Sequence, residues 1–320
     1  LSKPDVLAVA KLHPFYKQAL DAHYTVHDRI HELDPVAFKQ IAPRIVGVAA
    51  TGESPVPRSL LQGLSSARVV SVFGVGYDGV DVEAALDLRI PVTHTPGVLS
   101  EDVADLALAL VLSVARRVAQ ADAFVRAGRW PDGPIALGRK VSGARMGIVG
   151  MGRIGQAIAT RAQAFGMSIA YTARTAKGDL PYRFFPDAAS LAAASDFLVV
   201  ITPGGAGTRH LINASVLQAL GPQGFLINVA RGSVVDEQAL IQALSEGKIA
   251  GAGLDVFADE PRVPEALWSM PQVVLTPHMA SATTQTRQAM ADLAFANIQA
   301  GIEGRPLITP VPEWTASAQR

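Results

Sequence analysis

Short β-branched runs alternate with amphipathic stretches along most of the chain. From Val6 onward the runs VLAVA, IVGVAA, RVVSVFG and PVTHT each end in Gly, Pro or Asp punctuation. Continuous apolar runs of this length suit strands covered on both faces, and the helical stretches between them suit the crossovers that a parallel sheet needs. A second series starts at MGIVG and continues through SIAYTA, FLVVIT, FLINVA, AGLDVF and VVLTPH, with helical segments such as DEQALIQALSEG in between. The expected fold class is therefore α/β, with two doubly wound parallel-sheet domains.

A long helical pattern from about Ser100 to Ala127 joins the two series, and the turn-rich PDGPIALGRKVSG follows it. A last helical pattern, about Ala282 to Glu303, leads into PLITPVPEW and is expected to return to the first unit. The predicted division is residues 1–98 with 283–320 in one domain and 99–282 in the other. A length of 320 residues suits two cores, and 49% hydrophobic against 18% charged residues supplies the apolar surface to fill them.

Charge narrows the function. Lys plus Arg and Asp plus Glu balance at 28 each with no basic stripe, which argues against a nucleic-acid or anionic-membrane binder. The absence of cysteine removes disulfides, zinc-thiolate sites and a thiol nucleophile. His13, His23, His27, His31, His94 and His210 have no metal-ligand spacing, so no metal is expected. The segment LSKPDVLAVA is too short and interrupted for a signal peptide, and the apolar stretch LALALVLSVA, flanked by Asp105 and Arg116, reads as a buried helix. A cytoplasmic location is the expectation.

The strongest local motif is Gly150-Met151-Gly152-Arg153-Ile154-Gly155, set between the apolar run MGIVG and the helical stretch RIGQAIATRAQAF. In a strand-loop-helix context the first glycine permits a tight turn, the second lets backbone approach a pyrophosphate, and the third allows close packing of helix on strand. Dinucleotide binding is expected. At the end of the next strand an NAD binder usually carries Asp or Glu for the ribose 2′-hydroxyl, whereas this chain has Ala173, Arg174 and Thr175. A guanidinium and a hydroxyl there suit a 2′-phosphate, so NADPH is expected in preference to NADH.

Polar residues also stand at predicted strand ends in the second series: Arg231 in NVARGS, Asp255 and Glu260 in GLDVFADEP, and His278 in TPHMAS. Reduction of a 2-oxo acid needs a cation to hold the carboxylate and polarise the carbonyl, and an acid to protonate the developing alkoxide. Arg231 and His278 suit those tasks, with Glu260 orienting the imidazole and favouring its protonated form. Trp130 and Trp268 read as packing anchors more readily than as the rim of a substrate mouth.

With GMGRIG, NVARGS, GLDVFADEP and TPHMAS in this order, the sequence resembles the D-isomer-specific 2-hydroxyacid dehydrogenase family over nearly its whole length. Through VFGVGYDGVD, ALGRKVSGARMGIVGMGRIG and YTART it is similar to the branch of glyoxylate/hydroxypyruvate and hydroxyphenylpyruvate reductases. The resemblance implies a flavodoxin-like substrate-binding domain and a Rossmann cofactor domain. It implies active-site roles for Arg231, Glu260 and His278, and contact of Asp255 with the nicotinamide end. It places Val103, Thr202 and Val229 with Arg231 in the cofactor cleft, and gives the backbone N–H groups of the Gly74-Val75-Gly76 loop, Val75 and Gly76 in particular, to the substrate carboxylate.

The helical region EDVADLALALVLSVARR corresponds to the family's dimer-forming region, so a homodimer is expected. The implied activity is NADPH-dependent reduction of glyoxylate or hydroxypyruvate to the D-hydroxy acid, with hydroxyphenylpyruvate-type substrates as the rival. From another class, a dinucleotide-sensing interaction protein shares the fold, and the joint presence of Arg231, Glu260 and His278 favours chemistry over it. A formate dehydrogenase lacks the Glu paired with His, and a phosphoglycerate dehydrogenase with a regulatory tail is longer at the C-terminus.

Overall fold

Five short strands build the first sheet: β1 (Asp5–Ala8), β2 (Thr25–Asp28), β3 (Ile45–Thr51), β4 (Val70–Phe73) and β5 (Val92–Thr93). They come from a computed structural model that describes residues 3–318. All pair in parallel in the order β2-β1-β3-β4-β5, a doubly wound arrangement of the flavodoxin type. Val48, Ala50, Val70 and Val72 are fully buried at its centre, which explains why these strands read as continuous apolar runs. The helix Thr284–Ile302, capped by the Thr283 side chain, returns to this sheet: Ser71 Oγ donates to the Ala294 carbonyl at 2.8 Å. Residues up to Leu99 and those from Ala282 onward form this unit, and Ser100–Ser281 form a second.

The second unit holds seven parallel strands: β6 (Arg145–Val149), β7 (Ser168–Thr172), β8 (Arg183–Phe184), β9 (Phe197–Val200), β10 (Phe225–Asn228), β11 (Gly251–Leu254) and β12 (Val273–Leu275). Their order is β12-β11-β10-β9-β6-β7-β8. From β6 the chain runs outward through β7 and β8, then returns to place β9 on the other side of β6. That reversal opens a crevice at the carboxyl ends of β6 and β9, where open α/β sheets bind ligands.

The helical pattern read from Ser100 to Ala127 is two helices, Ser100–Arg116 and Val118–Arg126. The break is at Arg117, which takes a left-handed φ of 57° without the glycine or proline that would announce a stop. The first helix spends its apolar face inside its own unit, burying Val103, Ala107, Leu110, Val111 and Val114, with Leu110 against Gly253 of β11. On its polar side Glu101 and Asp105 both pair with Arg161 of the helix Arg153–Ala164. Large apolar side chains are exposed just downstream instead, at Val118, Val125, Trp130 and Leu137. Trp130 and Trp268 are 69% and 65% exposed, so neither anchors packing within its unit. Among the described residues no helix is long and apolar enough to cross a membrane.

Candidate active site

The glycine loop follows β6 and opens the helix Arg153–Ala164. Gly150 has φ +105°, and a Cβ there would lie 2.7 Å from the Ile201 carbonyl oxygen and 2.9 Å from Thr202 N. Only glycine fits both the dihedral and the space, and the close approach sets Thr202 beside the loop. A Cβ at Gly155 would lie 2.2 Å from the Gly150 oxygen, so the helix sits against the loop as the motif requires. A Cβ at Gly152 would meet nothing within 4 Å, and no side chain caps the helix there. The first-turn N–H groups, from Arg153 through Gly155, therefore suit a phosphate held against open backbone, which is what a dinucleotide pyrophosphate needs.

The end of β7 lies next to this loop, since Gly150 N donates to the Thr172 carbonyl at 2.9 Å. Arg174 and Thr175 follow in an exposed bend, and no carboxylate occupies the β7 end. Val103 and Val229 are almost wholly buried, at 6% and 5% exposure.

Arg231, Glu260 and His278 follow β10, β11 and β12, three neighbouring strands of one sheet. Arg231 sits at the end of a turn closed by Asn228, whose amide donates to the Arg231 carbonyl and accepts from Ala230 N, each at 3.1 Å. At the next residue, Gly232, a Cβ would overlap the Phe257 carbonyl at 1.9 Å. Lack of a side chain there lets the arginine turn lie against the loop that bears Glu260. His278 Nδ1 lies 2.6 Å from Glu260 Oε2, and Glu260 Oε1 accepts from Phe257 N at 3.0 Å. Burial pushes the Glu260 carboxyl up, but the hydrogen bond and charge of His278, the Phe257 N–H and the Arg231 charge outweigh it and hold the group below its usual range.

Asp255 is 1% exposed, and its own chemistry explains why the sequence has an acid there. Its carboxylate accepts from Thr276 Oγ1 at 2.7 Å, Met279 N at 2.8 Å and Ala280 N at 2.9 Å, while its carbonyl accepts from His278 N at 2.8 Å. Burial raises the Asp255 pKa, and these bonds and the His278 charge offset part of the rise. The loop so held keeps His278 at φ 49°, a left-handed conformation that costs on the order of 1 kcal/mol in a non-glycine residue. Sequence reasoning read Asp255 as a cofactor contact and missed this tethering function, because its partners lie 21 to 25 residues away on another strand end.

In the first unit the Gly74-Val75-Gly76 loop follows β4 at the carboxyl edge of its sheet. Its carbonyls are engaged: Gly74 O accepts from Thr95 N at 2.8 Å, and Val75 O lies 2.8 Å from His94 Nδ1.

Comparison with known proteins agrees with this geometry. Residues 108–280 match the model of the D-isomer specific 2-hydroxyacid dehydrogenase NAD binding domain. The chain is 44% identical to a 2-ketogluconate reductase of Gluconobacter oxydans, over 97% of this chain and 99% of that one. It is 48% identical to glyoxylate/hydroxypyruvate reductase A of Arabidopsis thaliana, over 83% of this chain and 84% of the relative. Among solved structures, the NADPH-dependent glyoxylate/hydroxypyruvate reductase of Sinorhizobium meliloti, in complex with NADP and malonate, is 46% identical with a TM-score of 0.92 and covers 98% of both chains. Family match, relatives and the strand-end constellation coincide: this chain belongs to the D-isomer specific 2-hydroxyacid dehydrogenase family.

Proposed function

We propose that the chain is an NADPH-dependent reductase that converts glyoxylate and hydroxypyruvate to glycolate and D-glycerate. The observation that carries the reading is the 2.6 Å Glu260–His278 pair, within the electrostatic reach of Arg231 and in the same unit as the glycine loop. When bound, NADPH supplies the hydride for C2 of the oxo acid. Arg231 holds the substrate carboxylate and polarises the oxo group, because its paired N–H donors strengthen as negative charge develops. His278 delivers the proton from Nε2, since Nδ1 is turned to Glu260. Glu260 fixes the ring and favours the imidazolium, and Asp255 holds the loop through its bonds to Thr276, Met279 and Ala280 while contacting the nicotinamide end of the cofactor. Val103, Thr202 and Val229 line that cleft, and Gly150, Gly152, Arg153, Ile154 and Gly155 take the pyrophosphate. The unit that runs to Leu99 and resumes at Ala282 is the substrate domain, and Ser100–Ser281 is the cofactor domain.

The names of the relatives support this substrate class, and the 2-ketogluconate reductase among them favours a second reading in which a longer 2-oxo acid is preferred. Purified protein given NADPH with glyoxylate, hydroxypyruvate, 2-ketogluconate and hydroxyphenylpyruvate in turn separates them. The highest kcat/KM is expected with the first two. Preference for either long substrate transfers the assignment to the second reading, and no turnover on any of the four supports a dinucleotide-sensing binding protein.

Arg174 and Thr175 are proposed to receive the 2′-phosphate. Loss of charge-assisted hydrogen bonds, about 1.5 to 3 kcal/mol each, predicts that Arg174→Asp weakens NADPH use by roughly 10- to 100-fold. NADH use should be spared or improved. An unchanged NADPH/NADH ratio of kcat/KM contradicts the assignment.

A homodimer is proposed through the exposed apolar residues of 118–137, because the helix Ser100–Arg116 has already buried its apolar face in its own unit. Light scattering should return about twice the 33.6 kDa chain mass, falling to the monomer value when Trp130 and Leu137 are both changed to Ser. A monomeric wild type removes this part. The reading places the enzyme in the cytoplasm.

A further inference from the structure

Tyr171 is nearly fully buried in β7, and its ring meets Phe184 of β8 edge-on at 5.5 Å. A buried hydroxyl requires partners, and here they are neither in the sheet nor in the core. Tyr171 Oη accepts from Lys177 N at 2.7 Å and donates to the Lys177 carbonyl at 3.3 Å, a carbonyl that also accepts from Leu180 N at 3.3 Å. The segment that leaves the strand at Ala173 is thus brought back onto its own strand four residues later. Its span contains Arg174 and Thr175. Because β7 is bonded at its end to Gly150, the closed loop hangs from the same backbone that shapes the glycine loop.

We infer that the Tyr171 hydroxyl is a specificity-determining positioning group: by closing the 173–177 loop onto β7 it preorganises Arg174 and Thr175 for the 2′-phosphate of the cofactor. This rests on the reading that Arg174 and Thr175 receive that phosphate. A loop already ordered in the free protein loses less entropy when the anion binds, and the saving applies only to a ligand that engages the loop. A cofactor lacking the 2′-phosphate gains nothing from it. The clamp therefore tunes the choice between the two dinucleotides rather than the chemistry.

The test is Tyr171→Phe, which keeps the ring and its packing against Phe184 while removing the oxygen. Equilibrium binding by calorimetry, with NADP⁺ and NAD⁺ measured separately, reads the effect without turnover. The NADP⁺ Kd should rise roughly 3- to 10-fold, as expected for loss of one or two hydrogen bonds, while the NAD⁺ Kd moves less than about twofold. Amide exchange at Lys177 in the unliganded protein should accelerate. Equal weakening of both cofactors reduces Tyr171 to a fold-supporting residue and overturns the inference, as does an unchanged NADP⁺ Kd with faster Lys177 exchange. Arg174→Asp serves as the parallel arm: if it too leaves NADP⁺ affinity unchanged, the phosphate assignment has failed, whereas a loss in Arg174→Asp alone isolates the failure to the clamp.

Discussion

His278→Ala is expected to lower kcat for glyoxylate reduction by about 100- to 10,000-fold, the range that a positioned general acid contributes, while the NADPH Kd changes little. In the proposed mechanism the two effects separate, because the imidazole would donate to the developing alkoxide and leave the glycine loop untouched. Glu260 gives the prediction a pH signature. Its carboxyl lies below the usual range in the folded chain, so it stays ionised through neutral pH and faces His278 as an anion. An acid depressed by folding stabilises the folded state above its unfolded pKa, and this contribution is lost only as pH falls through the lower folded value. The Glu260 anion therefore persists at neutral and higher pH. Reduction should fall as pH rises and the imidazolium deprotonates, and oxidation of the hydroxy acid should rise over the same interval. Glu260→Gln removes the anion beside Nδ1 and should move that fall to lower pH. Wild-type-like turnover in His278→Ala, or a pH profile unaltered by Glu260→Gln, contradicts the assigned roles.

The second large effect concerns Arg231. Two charge-assisted hydrogen bonds to a carboxylate and an oxo group, at about 1.5 to 3 kcal/mol each, predict a loss of roughly 100- to 10,000-fold in kcat/KM for Arg231→Ala. Unlike His278→Ala, this change should raise KM and lower kcat together, because the proposed role has the guanidinium acting in both ground and transition states. Arg231→Lys should recover little, since a point ammonium does not present paired donors in a plane. A rise in KM with kcat preserved means that Arg231 binds substrate without polarising it, and normal values for both remove it from the site.

Much of this arrangement was legible in the residues because it depends on local sterics and on periodicity. The strands with continuous apolar runs were readable, since each is covered on both faces. β2 and β8 were not. Thr25–Asp28 carries mostly polar residues at a sheet edge, and Arg183–Phe184 is two residues long, so their pairing exists only once β1 and β7 are in place. The glycine motif was legible because each glycine answers a specific steric demand, and Gly150 and Gly155 meet those demands in the structure. The helix break at Arg117 was not, because a left-handed arginine has no compositional mark.

The tethers were harder to read than the site residues themselves. Arg231, Glu260 and His278 stood out as polar groups at strand ends. The grip of Asp255 on the His278 loop, and of Tyr171 on Lys177, arises from backbone donors that any residue supplies. Tyr171 reads in the sequence as one more apolar strand position, and its hydroxyl acquires a meaning only when the chain turns back on itself. Such second partners decide how well a site is preorganised, and they leave no periodic trace.

The proposed reaction delivers hydride to C2 of a small 2-oxo acid, with protonation from the carboxylate-backed imidazole. The most direct measurement incubates the purified chain with hydroxypyruvate and NADPH carrying deuterium at both C4 positions, then analyses the product by mass and chirality. The proposed reaction yields D-glycerate with a single deuterium at C2 and NADP⁺ formed in equal amount. Deuterium retained wholly in the cofactor, or label recovered in the L-isomer, contradicts it.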